Sequence, residues 1–439
     1  MPRYQAQGPS RGAAHFKPDA QPHQHDTRPK RRSRLLGCFI VLLVLALLAG
    51  AGVIFWRHRP VSVMMDGMPH TVFKRSTLTQ LYEGEHPSVT PGNLVSVTGN
   101  VLAEGEGDPF SATVNGVDVS YAEASQRLLW GGEDIVFKDG GDRMEDYTSE
   151  VTVMNPKLEF DVRAGTPEKG YMVQQGTIQY VSQWGKAGRH EVRHGQRSGE
   201  TGDGEVVEEP QNCVVTVQNI HPDNDEKLVA LTFDDGPSYY TDSYLKILAE
   251  HDVKATFCII GEQVSDGQSV IAQTAAAGHL IASHTWDHKQ LTTLDEAQVK
   301  QELGDTAQAL ANVLGSSVTF LRPPYGDIDE QVWLKSGGAI AASMYWTQDS
   351  LDWERPGVDA IVSNATQYMA PGSVILMHDG GGDRSQDQEA LPRIIAAWKE
   401  AGYRFVTMRE LMESDSSIDL SAVNIGAMPA DAVWPTELA

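Results

Sequence analysis

The sequence predicts an α/β fold for the C-terminal half of the chain, preceded by one membrane-spanning helix and a β-rich region. Three observations support this prediction. A stretch without any charged residue lies near the N-terminus, and turn-forming residue pairs divide the next region into short strand-like segments. After residue 227, short apolar runs alternate with helix-like patterns. Regular alternation of strand and helix is typical of α/β domains, in which helices cover a mostly parallel sheet.

The composition excludes several classes of protein. The chain has 439 residues, of which 41% are hydrophobic, so it is neither wholly disordered nor collagen-like. The formal net charge is −24, yet residues 1–34 carry eight Lys and Arg against two Asp. Because the remaining body is acidic, the charge argues against nucleic acid as a partner. Three cysteines, Cys38, Cys213 and Cys258, are too few for a disulfide scaffold, and whether Cys213 and Cys258 pair stays open.

The N-terminal region predicts a membrane anchor. Residues 1–34 show no apolar periodicity and are interpreted as a disordered basic tail in the cytoplasm. Residues 35–56 are predicted to form a transmembrane helix of about 33 Å, which suffices for a bilayer core of about 30 Å. A cleaved signal peptide is the alternative, but no small-residue cleavage site precedes Arg57. Since basic residues cluster before the helix, residues 60–439 are expected outside the cell, at the cell membrane.

Residues 61–198 are predicted to form a β-rich extracellular region. Asp66-Gly67 and Asn115-Gly116 each separate two extended segments, which is typical of hairpins with type I′ turns. This region contains no pair of residues with the spacing of metal ligands or of a nucleophile and its base. We interpret it as a spacer that holds the following domain away from the membrane, and a glycan-binding role remains the alternative.

Residues 227–412 are predicted to form the α/β domain. An acidic, Gly-containing linker is expected before it at 199–226, and a weakly ordered acidic tail after it at 413–439. Seven strands are predicted, at Leu228–Phe233, Val253–Ile260, His279–Ser283, Ser317–Leu321, Ala339–Trp346, Ser373–Met377 and Tyr403–Met408. These runs are apolar throughout rather than alternating, so both faces of the sheet are expected to be buried, as in a parallel sheet or a barrel.

Helices are predicted between these strands. One helical pattern follows the first strand through Leu245 and Leu248, and others span Gln268–Ala277, a segment near Asp329–Lys335, Val358–Ala370 and Leu391–Ala401. Thr293 and Glu296 have the spacing of a capping box and predict the start of a long helix that ends before Gly315. Pro392 suits the first turn of the last predicted helix, because an amide hydrogen is not needed there.

Unusual polar residues follow the C-terminal ends of the predicted strands. They are Asp234 and Asp235, His284 and His288, Arg322 to Tyr325, Asp349 and Asp352 with Trp353, and His378 with Asp379. Strand ends of this kind share one face in a βα-barrel, and catalytic residues of such barrels lie there. We therefore expect these side chains to form one site.

Three of these residues predict a metal site. His284 and His288 are four residues apart, in His284-Thr-Trp-Asp-His288. Taken alone, such a pair is more typical of solvated surface histidines. Asp235 supplies a candidate third ligand, and two histidines with one carboxylate suit a catalytic zinc or a similar divalent ion.

The neighbouring polar residues suit acid–base chemistry. Asp234 is a candidate base that takes a proton from water, and Arg322 can balance its charge through a planar fork. His378 is a candidate acid, and Asp352 can hold it in its charged form. The structural alternative for each segment is a tight turn or a rigid loop, which the Gly and Pro content also fits.

Five motifs in this region resemble those of the NodB-type polysaccharide deacetylases, carbohydrate esterase family four. In chain order they are Thr232-Phe-Asp-Asp-Gly-Pro237, His284-Thr-Trp-Asp-His288, Arg322-Pro-Pro-Tyr-Gly326, Asp349-Ser-Leu-Asp-Trp353 and Leu376-Met-His-Asp379. The resemblance covers residues 227–412 and none of 61–210. It implies a distorted (β/α)7 barrel that hydrolyses an N-acetyl group on a sugar.

The resemblance also implies a role for each site residue. Asp234 is the catalytic base, Arg322 positions it, and His378, tuned by Asp352, is the catalytic acid. The implied metal ligands are Asp235, His284 and His288, and the implied metal is Zn²⁺ first and Co²⁺ second. The backbone N–H of Tyr325 is implied to hold the oxyanion. The residues implied to contact substrate are Tyr325, Trp353 and Leu376.

The whole layout is similar to that of membrane-anchored peptidoglycan N-acetylglucosamine deacetylases. The function predicted from the sequence is therefore metal-dependent removal of N-acetyl groups from cell-wall glycan. An O-acetyl esterase that acts on acetylated polysaccharide is one alternative. A catalytically inactive, membrane-tethered wall-binding protein is the other. The oligomeric state is not readable from the sequence.

Overall fold

The computed structural model describes residues 32–163, 176–421, 423 and 427–439. The chain divides into two compact units, one ending at Glu145 and the other spanning Asp146–Ala439. Most of the predicted basic tail, residues 1–31, lies outside the described residues, as does part of the predicted β-rich region, residues 164–175.

The first unit begins with helix α1 (Arg32–Arg57). The apolar side chains from Phe39 to Trp56 are exposed along this helix. By length and composition this segment can cross a membrane, which makes it a candidate membrane span.

The rest of the first unit is small and β-rich. Its strands are β1 (Pro60–Met65), β2 (Met68–Phe73), β3 (Leu94–Val95), β4 (Val101–Ala103), β5 (Ser111–Val114), β6 (Val117–Val119), β7 (Asp134–Lys138) and β8 (Arg143–Met144). Its two short helices are α2 (Leu78–Glu85) and α3 (Tyr121–Ala124). The strands form a five-stranded sheet in the order β2-β1-β7-β5-β6 and a three-stranded sheet in the order β4-β3-β8.

Both predicted hairpins of this unit are confirmed. Strands β1 and β2 pair antiparallel, as do β5 and β6. The turn residues Asp66 and Gly67 have φ values of 50° and 80°, and Asn115 and Gly116 have φ values of 54° and 79°. Left-handed backbone at both central positions is the requirement of a type I′ turn, which Asn-Gly and Asp-Gly meet most easily.

The second unit contains strands β9 to β22 and helices α4 to α10. The strands are β9 (Tyr147–Met154), β10 (Leu158–Val162), β11 (Ile178–Gln183), β12 (Gly188–Gly195), β13 (Thr201–Glu208), β14 (Cys213–Gln218), β15 (Leu228–Gly236), β16 (Thr256–Ile259), β17 (Leu280–Ser283), β18 (Phe320–Leu321), β19 (Ala342–Met344), β20 (Gln348–Asp349), β21 (Ser373–His378) and β22 (Arg404–Val406). The helices are α4 (Thr241–Glu250), α5 (Val264–Ala276), α6 (Glu296–Leu314), α7 (Glu330–Lys335), α8 (Val358–Thr366), α9 (Ser385–Glu400) and α10 (Met408–Glu413). This mixed content agrees with the predicted α/β class.

Seven parallel strands form the centre of the main sheet. Their order is β19-β18-β17-β16-β15-β21-β20, and β22 also pairs with β15. If β19 and β20 were neighbours, these strands would follow one another in chain order around a ring, as in a βα-barrel. However, no ladder joins β19 to β20 within the described part of the chain, so no closed barrel is found and the (β/α)7 barrel is not confirmed. Helices and strands bury a core that includes Phe233, Phe257 and Trp398.

Three strands before residue 220 extend the main sheet. Their order continues outward from β19 as β11, β14 and β10. Strand β14 lies in the segment 199–226, which the sequence predicts as a linker, and β13 of the same segment pairs with β12. The linker prediction therefore differs from the structure. Strand β13 exposes most of its side chains, so its composition is that of a solvated segment, and only its hydrogen bonds to β12 distinguish it from a linker.

The described residues of the C-terminal tail pack against the second unit. Trp434 forms an edge contact with Trp184, and its indole N–H donates to the carbonyl of Leu334 at 2.9 Å. Leu438 forms an isolated bridge with Leu158, which begins β10. The expectation of a weakly ordered tail is thus wrong for these residues, because its scattered apolar side chains are too few to show a periodicity.

The long helix α6 begins two residues later than its capping box predicts. Asp295 is the N-cap, and its carboxylate accepts from the backbone N–H of Gln298 at 2.9 Å. The side chain of Gln298 accepts from the N–H of Asp295 at 3.0 Å, which completes the box. Thr293 instead ends a short 3-10 helix, Leu291–Thr293. Two overlapping sequences fit the same capping pattern, and the structure uses the second.

Helix α9 begins at Ser385, earlier than the sequence predicts. Pro392 therefore lies inside the helix rather than in its first turn. The first turn contains Asp387, whose buried carboxylate pairs with Arg384 at 3.2 Å. A buried polar pair does not contribute to an apolar pattern, so the hydrophobic periodicity locates the start of this helix too late.

Cys213 and Cys258 are both buried and free. Cys213 belongs to β14 and Cys258 to β16. Burial raises the pKa of Cys213 to about 12, so its thiol stays protonated at neutral pH. Both residues act as small apolar side chains of the core.

Candidate active site

A pocket of about 390 Å³ lies at the C-terminal ends of the central parallel strands. It is lined by Asp234, Asp235, His284, His288, Pro323, Tyr325, Trp346, Asp349, Trp353, Leu376 and His378. The predicted site residues Arg322 and Asp352 are fully buried next to it. The structure thus brings together the predicted catalytic, metal-binding and substrate-contacting residues. Asp379, in contrast, does not line the pocket; it is fully buried and accepts from the hydroxyl of Thr241.

A bulge in strand β15 explains how two adjacent aspartates reach the same pocket. In a regular strand Asp234 and Asp235 would point to opposite faces of the sheet. The β15–β16 ladder shifts register between Phe233 and Gly236, and Asp235 has a left-handed φ of 68°. Bulges of this kind re-aim side chains next to active sites. Both carboxylates therefore line one pocket.

Asp235, His284 and His288 converge on a common point. The Nε2 atoms of His284 and His288 lie 3.4 and 3.5 Å from Oδ1 of Asp235. One ligand atom from each residue lies within 4.8 Å of the others. The Nδ1 atom of His284 is 2.7 Å from the carbonyl of Arg322, which fixes the ring with Nε2 towards the pocket.

These three residues fit a divalent cation. Oδ1 of Asp235 is buried and has no hydrogen-bond partner, which is costly unless a cation satisfies it. Burial raises the pKa of Asp235, but the nearby imidazole of His284 outweighs it and brings that pKa below its ordinary value. Burial, together with the charge of His284, lowers the pKa of His288, which favours the neutral ring that a metal requires. Two imidazoles and one carboxylate suit zinc.

Arg322 anchors the carboxylate of Asp234. Its Nη1 atom donates to both oxygens of Asp234, at 3.0 and 3.2 Å. Nη2 donates to the hydroxyl of Thr232 at 3.1 Å and Nε to the carbonyl of Met344 at 2.9 Å. The guanidinium is therefore fixed by neighbouring strands, and it holds Asp234 in one orientation with its charge balanced.

His378 and Asp352 form a second charged pair at the pocket. Nδ1 of His378 lies 2.7 Å from Oδ1 of Asp352, and Oδ2 of Asp352 accepts from the backbone N–H of His378 at 2.7 Å. Burial lowers the pKa of His378, but the charge and hydrogen bond of Asp352 outweigh it and raise that pKa to about 9. His378 is therefore protonated at neutral pH, as a proton donor must be.

Three further residues form the rim and one wall of the pocket. Tyr325 is 65% exposed, and its ring lies 4.7 Å from that of His288. Trp353 is 51% exposed and belongs to the 3-10 helix Asp352–Glu354. Leu376 in β21 is almost fully buried. Exposed aromatic faces beside a small apolar wall suit a sugar ring that carries a methyl group.

Two residues near the site are not identified by sequence reasoning. A Cβ atom on Gly381 would lie 2.5 Å from Oδ2 of Asp235, so the close approach of this loop requires glycine. The sequence shows only a Gly-rich turn there. Glu302 is buried in α6 and contacts the loop between His284 and His288. Its location among the apolar positions of an amphipathic helix is the signal that could have revealed it.

The family model for polysaccharide deacetylases matches residues 221–338. A peptidoglycan-N-acetylglucosamine deacetylase of Bacillus cereus is 36% identical over 192 residues, which is 43% of this chain and 90% of that protein. A chitooligosaccharide deacetylase of Sinorhizobium fredii is 37% identical over 187 residues, which is 40% of this chain and 87% of that protein.

A crystal structure of a peptidoglycan N-acetylglucosamine deacetylase with a bound naphthalenyl N-oxidanyl-benzamide is also similar. It is 35% identical, covers 44% of this chain and 91% of its own, and superposes with a TM-score of 0.42. The extent and identity of the sequence matches establish the family. The chain belongs to the polysaccharide deacetylases, the NodB-type deacetylases of carbohydrate esterase family four.

Proposed function

We propose that this protein is a metal-dependent hydrolase that removes N-acetyl groups from N-acetylglucosamine-type cell-wall glycan and releases acetate. One observation carries this proposal: the ligand atoms of Asp235, His284 and His288 lie within 4.8 Å of one another, beside the Arg322-paired Asp234. The named activities of the relatives supply the glycan class.

Different residues of the pocket carry out different steps of amide hydrolysis. A zinc ion held by Asp235, His284 and His288 would polarise the acetyl carbonyl and make water more acidic. Asp234 takes a proton from the attacking water, and His378 gives a proton to the departing sugar amine. The backbone N–H of Tyr325 donates to the carbonyl oxygen as negative charge develops there.

The remaining site residues position the substrate and the catalytic pairs. Trp353 and Leu376 hold the acetyl methyl group, and the exposed ring of Tyr325 contacts the sugar. Arg322 orients Asp234, and Asp352 keeps His378 protonated. Each of these roles agrees with the observed burial and hydrogen bonding.

We further propose that helix α1 anchors the protein in the cell membrane as a single span. On this topology the N-terminus is cytoplasmic and the second unit faces the cell wall. The β-rich region after the helix then acts as a spacer or as a glycan-binding module. Protease added to intact protoplasts should cleave the second unit from outside, and protection of that unit from the protease would contradict the topology.

An acetate-release assay tests the activity. The full chain in detergent is incubated with N-acetylglucosamine oligomers, with peptidoglycan and with acetylxylan. We expect acetate from the first two, loss of activity with a chelator, and recovery with Zn²⁺ or Co²⁺. Release from acetylxylan alone would instead indicate an O-acetyl esterase, and no release from any substrate would favour a wall-binding protein.

A matched pair of variants tests the role of the base. Asp234→Asn is expected to lower kcat about 10²- to 10⁴-fold while zinc affinity is kept. Asp242→Asn, at an exposed position in α4, serves as the control and should leave kcat unchanged. Full turnover in Asp234→Asn would contradict the proposed base.

A further inference from the structure

The loop that carries both histidines of the candidate metal site is held from one side by the turn after β16. The carbonyl of Thr285 accepts from the N–H of Gly261 at 2.9 Å, and the carbonyl of Trp286 accepts from the N–H of Glu262 at 2.9 Å. Gly261 and Glu262 open the 3-10 helix Gly261–Gln263. These bonds fix the carbonyl side of the loop but leave its N–H groups to other partners.

Glu302 binds N–H groups of the same loop. This residue lies in the middle of α6 and is only 4% exposed. Its Oε2 atom accepts from the backbone N–H of Trp286 at 2.9 Å and from that of Asp287 at 3.2 Å. Its Oε1 atom pairs with Lys289 at 3.1 Å. One buried carboxylate thus bonds to three residues at or next to the segment between the two histidines.

The loop needs this support because its backbone is strained. Thr285 and His288 have φ values of 64° and 62°, in the left-handed region that only glycine adopts without strain. Thr285 is β-branched, which makes this conformation more costly still. Strained backbone persists only where its surroundings fix it. On the N–H side, Oγ of Ser283 accepts from Thr285 at 3.3 Å, and Glu302 accepts from the next two residues, Trp286 and Asp287.

We propose that Glu302 is a positioning residue for the metal ligands: by binding the N–H groups of Trp286 and Asp287, it sets the loop so that His284 and His288 meet Asp235. The inference rests on the proposed metal site. Glu302 bonds to Trp286, Asp287 and Lys289 rather than to the ligands and does not line the pocket, so its effect is on metal affinity. Loss of the carboxylate lets the loop relax away from its left-handed residues and separates the two imidazoles.

Zinc affinity of the full chain in detergent tests this proposal. The dissociation constant is measured by competition with a chromophoric chelator, well below the unfolding temperature. Glu302→Ala is expected to weaken zinc binding about 10- to 100-fold, which is the usual effect of removing a residue that orients the metal ligands. Glu302→Gln is expected to bind almost as the unchanged protein does, because one amide oxygen can still accept both N–H groups.

Glu296→Ala is the matched control. Glu296 lies on the same helix and pairs with Lys300, but both side chains are exposed. Its loss should leave zinc affinity unchanged. With saturating zinc, the kcat of Glu302→Ala should return close to that of the unchanged protein, since the loop is then held by its ligands.

The outcomes separate this inference from the proposed function. If the unchanged protein does not bind zinc, the metal site itself is wrong. If it binds zinc and folded Glu302→Ala binds as tightly as Glu296→Ala, only the role of Glu302 is wrong. If Glu302→Ala does not fold, Glu302→Asp replaces it, because it keeps the charge but is one methylene too short to reach both N–H groups. Weakened zinc binding in Glu302→Asp supports the proposal, and unchanged binding overturns it.

Discussion

Arg322 makes five hydrogen bonds from a fully buried position, and no other side chain can reproduce them. Two of the five reach Asp234, and the others reach Thr232 and the carbonyls of Met344 and Tyr345. A buried cation is costly to desolvate, so the guanidinium of Arg322 is stable here only because each of its N–H groups has an acceptor. At the residue scale, the site therefore combines candidate catalytic groups with structural ones.

Arg322→Lys should destabilise the second unit and lower activity. A lysine retains the charge but cannot donate along several directions of one plane, so Asp234 loses a fixed partner. We expect the free energy of unfolding to fall by about 3 kcal/mol, the size found when a buried pair is broken. Urea unfolding measures it. Arg393→Lys, in an exposed pair with Asp359, is the control and should change stability by less than about 1 kcal/mol.

Asp352→Asn should shift the pH dependence of kcat. Asp352 is the charge that raises the pKa of His378 to about 9, against the lowering effect of burial. Without it that pKa falls, so His378 loses its proton at lower pH and the alkaline limb of the kcat profile moves towards neutrality. Profiles measured between about pH 6 and 10 show the shift. An unmoved limb would mean that another group sets it.

The same pair makes stability depend on pH. Because folding raises the pKa of His378 above its ordinary 6.5, the stabilisation is fully present below about pH 6.5. It is lost as the pH rises through about 9. The unfolding free energy of the unchanged protein should therefore decline over this range more than that of Asp352→Asn.

At the scale of elements, the site depends on irregular backbone at strand ends. The bulge in β15 turns Asp235 towards the pocket, and the loop after β21 packs against that residue. A Cβ atom on Gly380 would lie 1.8 Å from the carbonyl oxygen of Asp235. Two glycines therefore allow one loop to lie directly against a candidate metal ligand.

Gly381→Ala should weaken zinc binding by displacing Asp235. The added Cβ atom would meet Oδ2 of Asp235 at 2.5 Å, and Gly381 has a φ of +71°. Gly315→Ala is the matched control, because Gly315 has a φ of +70° but open space around it. Both variants incur a backbone cost of roughly 1–2 kcal/mol. Only Gly381→Ala should also raise the zinc dissociation constant, as measured by chelator competition. Equal constants in both variants would show that the close approach is not needed.

The sequence predicts the contents of the site better than the way in which they are held. The strand-end positions of Asp234, His284 and His378 follow from apolar runs and their boundaries, so their convergence is predictable. Glu302 is not, because an acid on a helix is usually a solvated side chain and its burial depends on contacts distant in sequence. The attachment of β10, β11 and β14 to the main sheet is also missed, since the pairing of β11 with β19 joins segments that no local pattern relates.

At the scale of the whole molecule, the second unit is held together by its C-terminal residues as well as by its sheet. The cluster that contains Trp333 and Tyr345 also receives Trp434 and Leu438. Trp434 contributes both an aromatic contact and a hydrogen bond to Leu334. The final residues thus belong to the folded unit.

Trp434→Ala should lower the stability of the second unit. Fully buried aromatic residues cost about 3–5 kcal/mol when truncated, and a partly buried one such as Trp434 should cost about 2 kcal/mol. Thermal unfolding measures the change. Tyr239→Ala, at a side chain that is 93% exposed, is the control and should unfold as the unchanged protein does. If the two variants unfold alike, the tail contributes nothing to the unit.

Because β11 pairs with β19, the region matched by the family model is not expected to fold well when it is expressed without the strands that precede it. A protein fragment that begins at residue 221, where the family match begins, would lack the antiparallel neighbour of β19. The backbone N–H and C=O groups along that edge would then have no partner. Such a fragment should self-associate. A fragment that begins at Asp146, where the second unit begins, keeps the three outer strands paired with the main sheet.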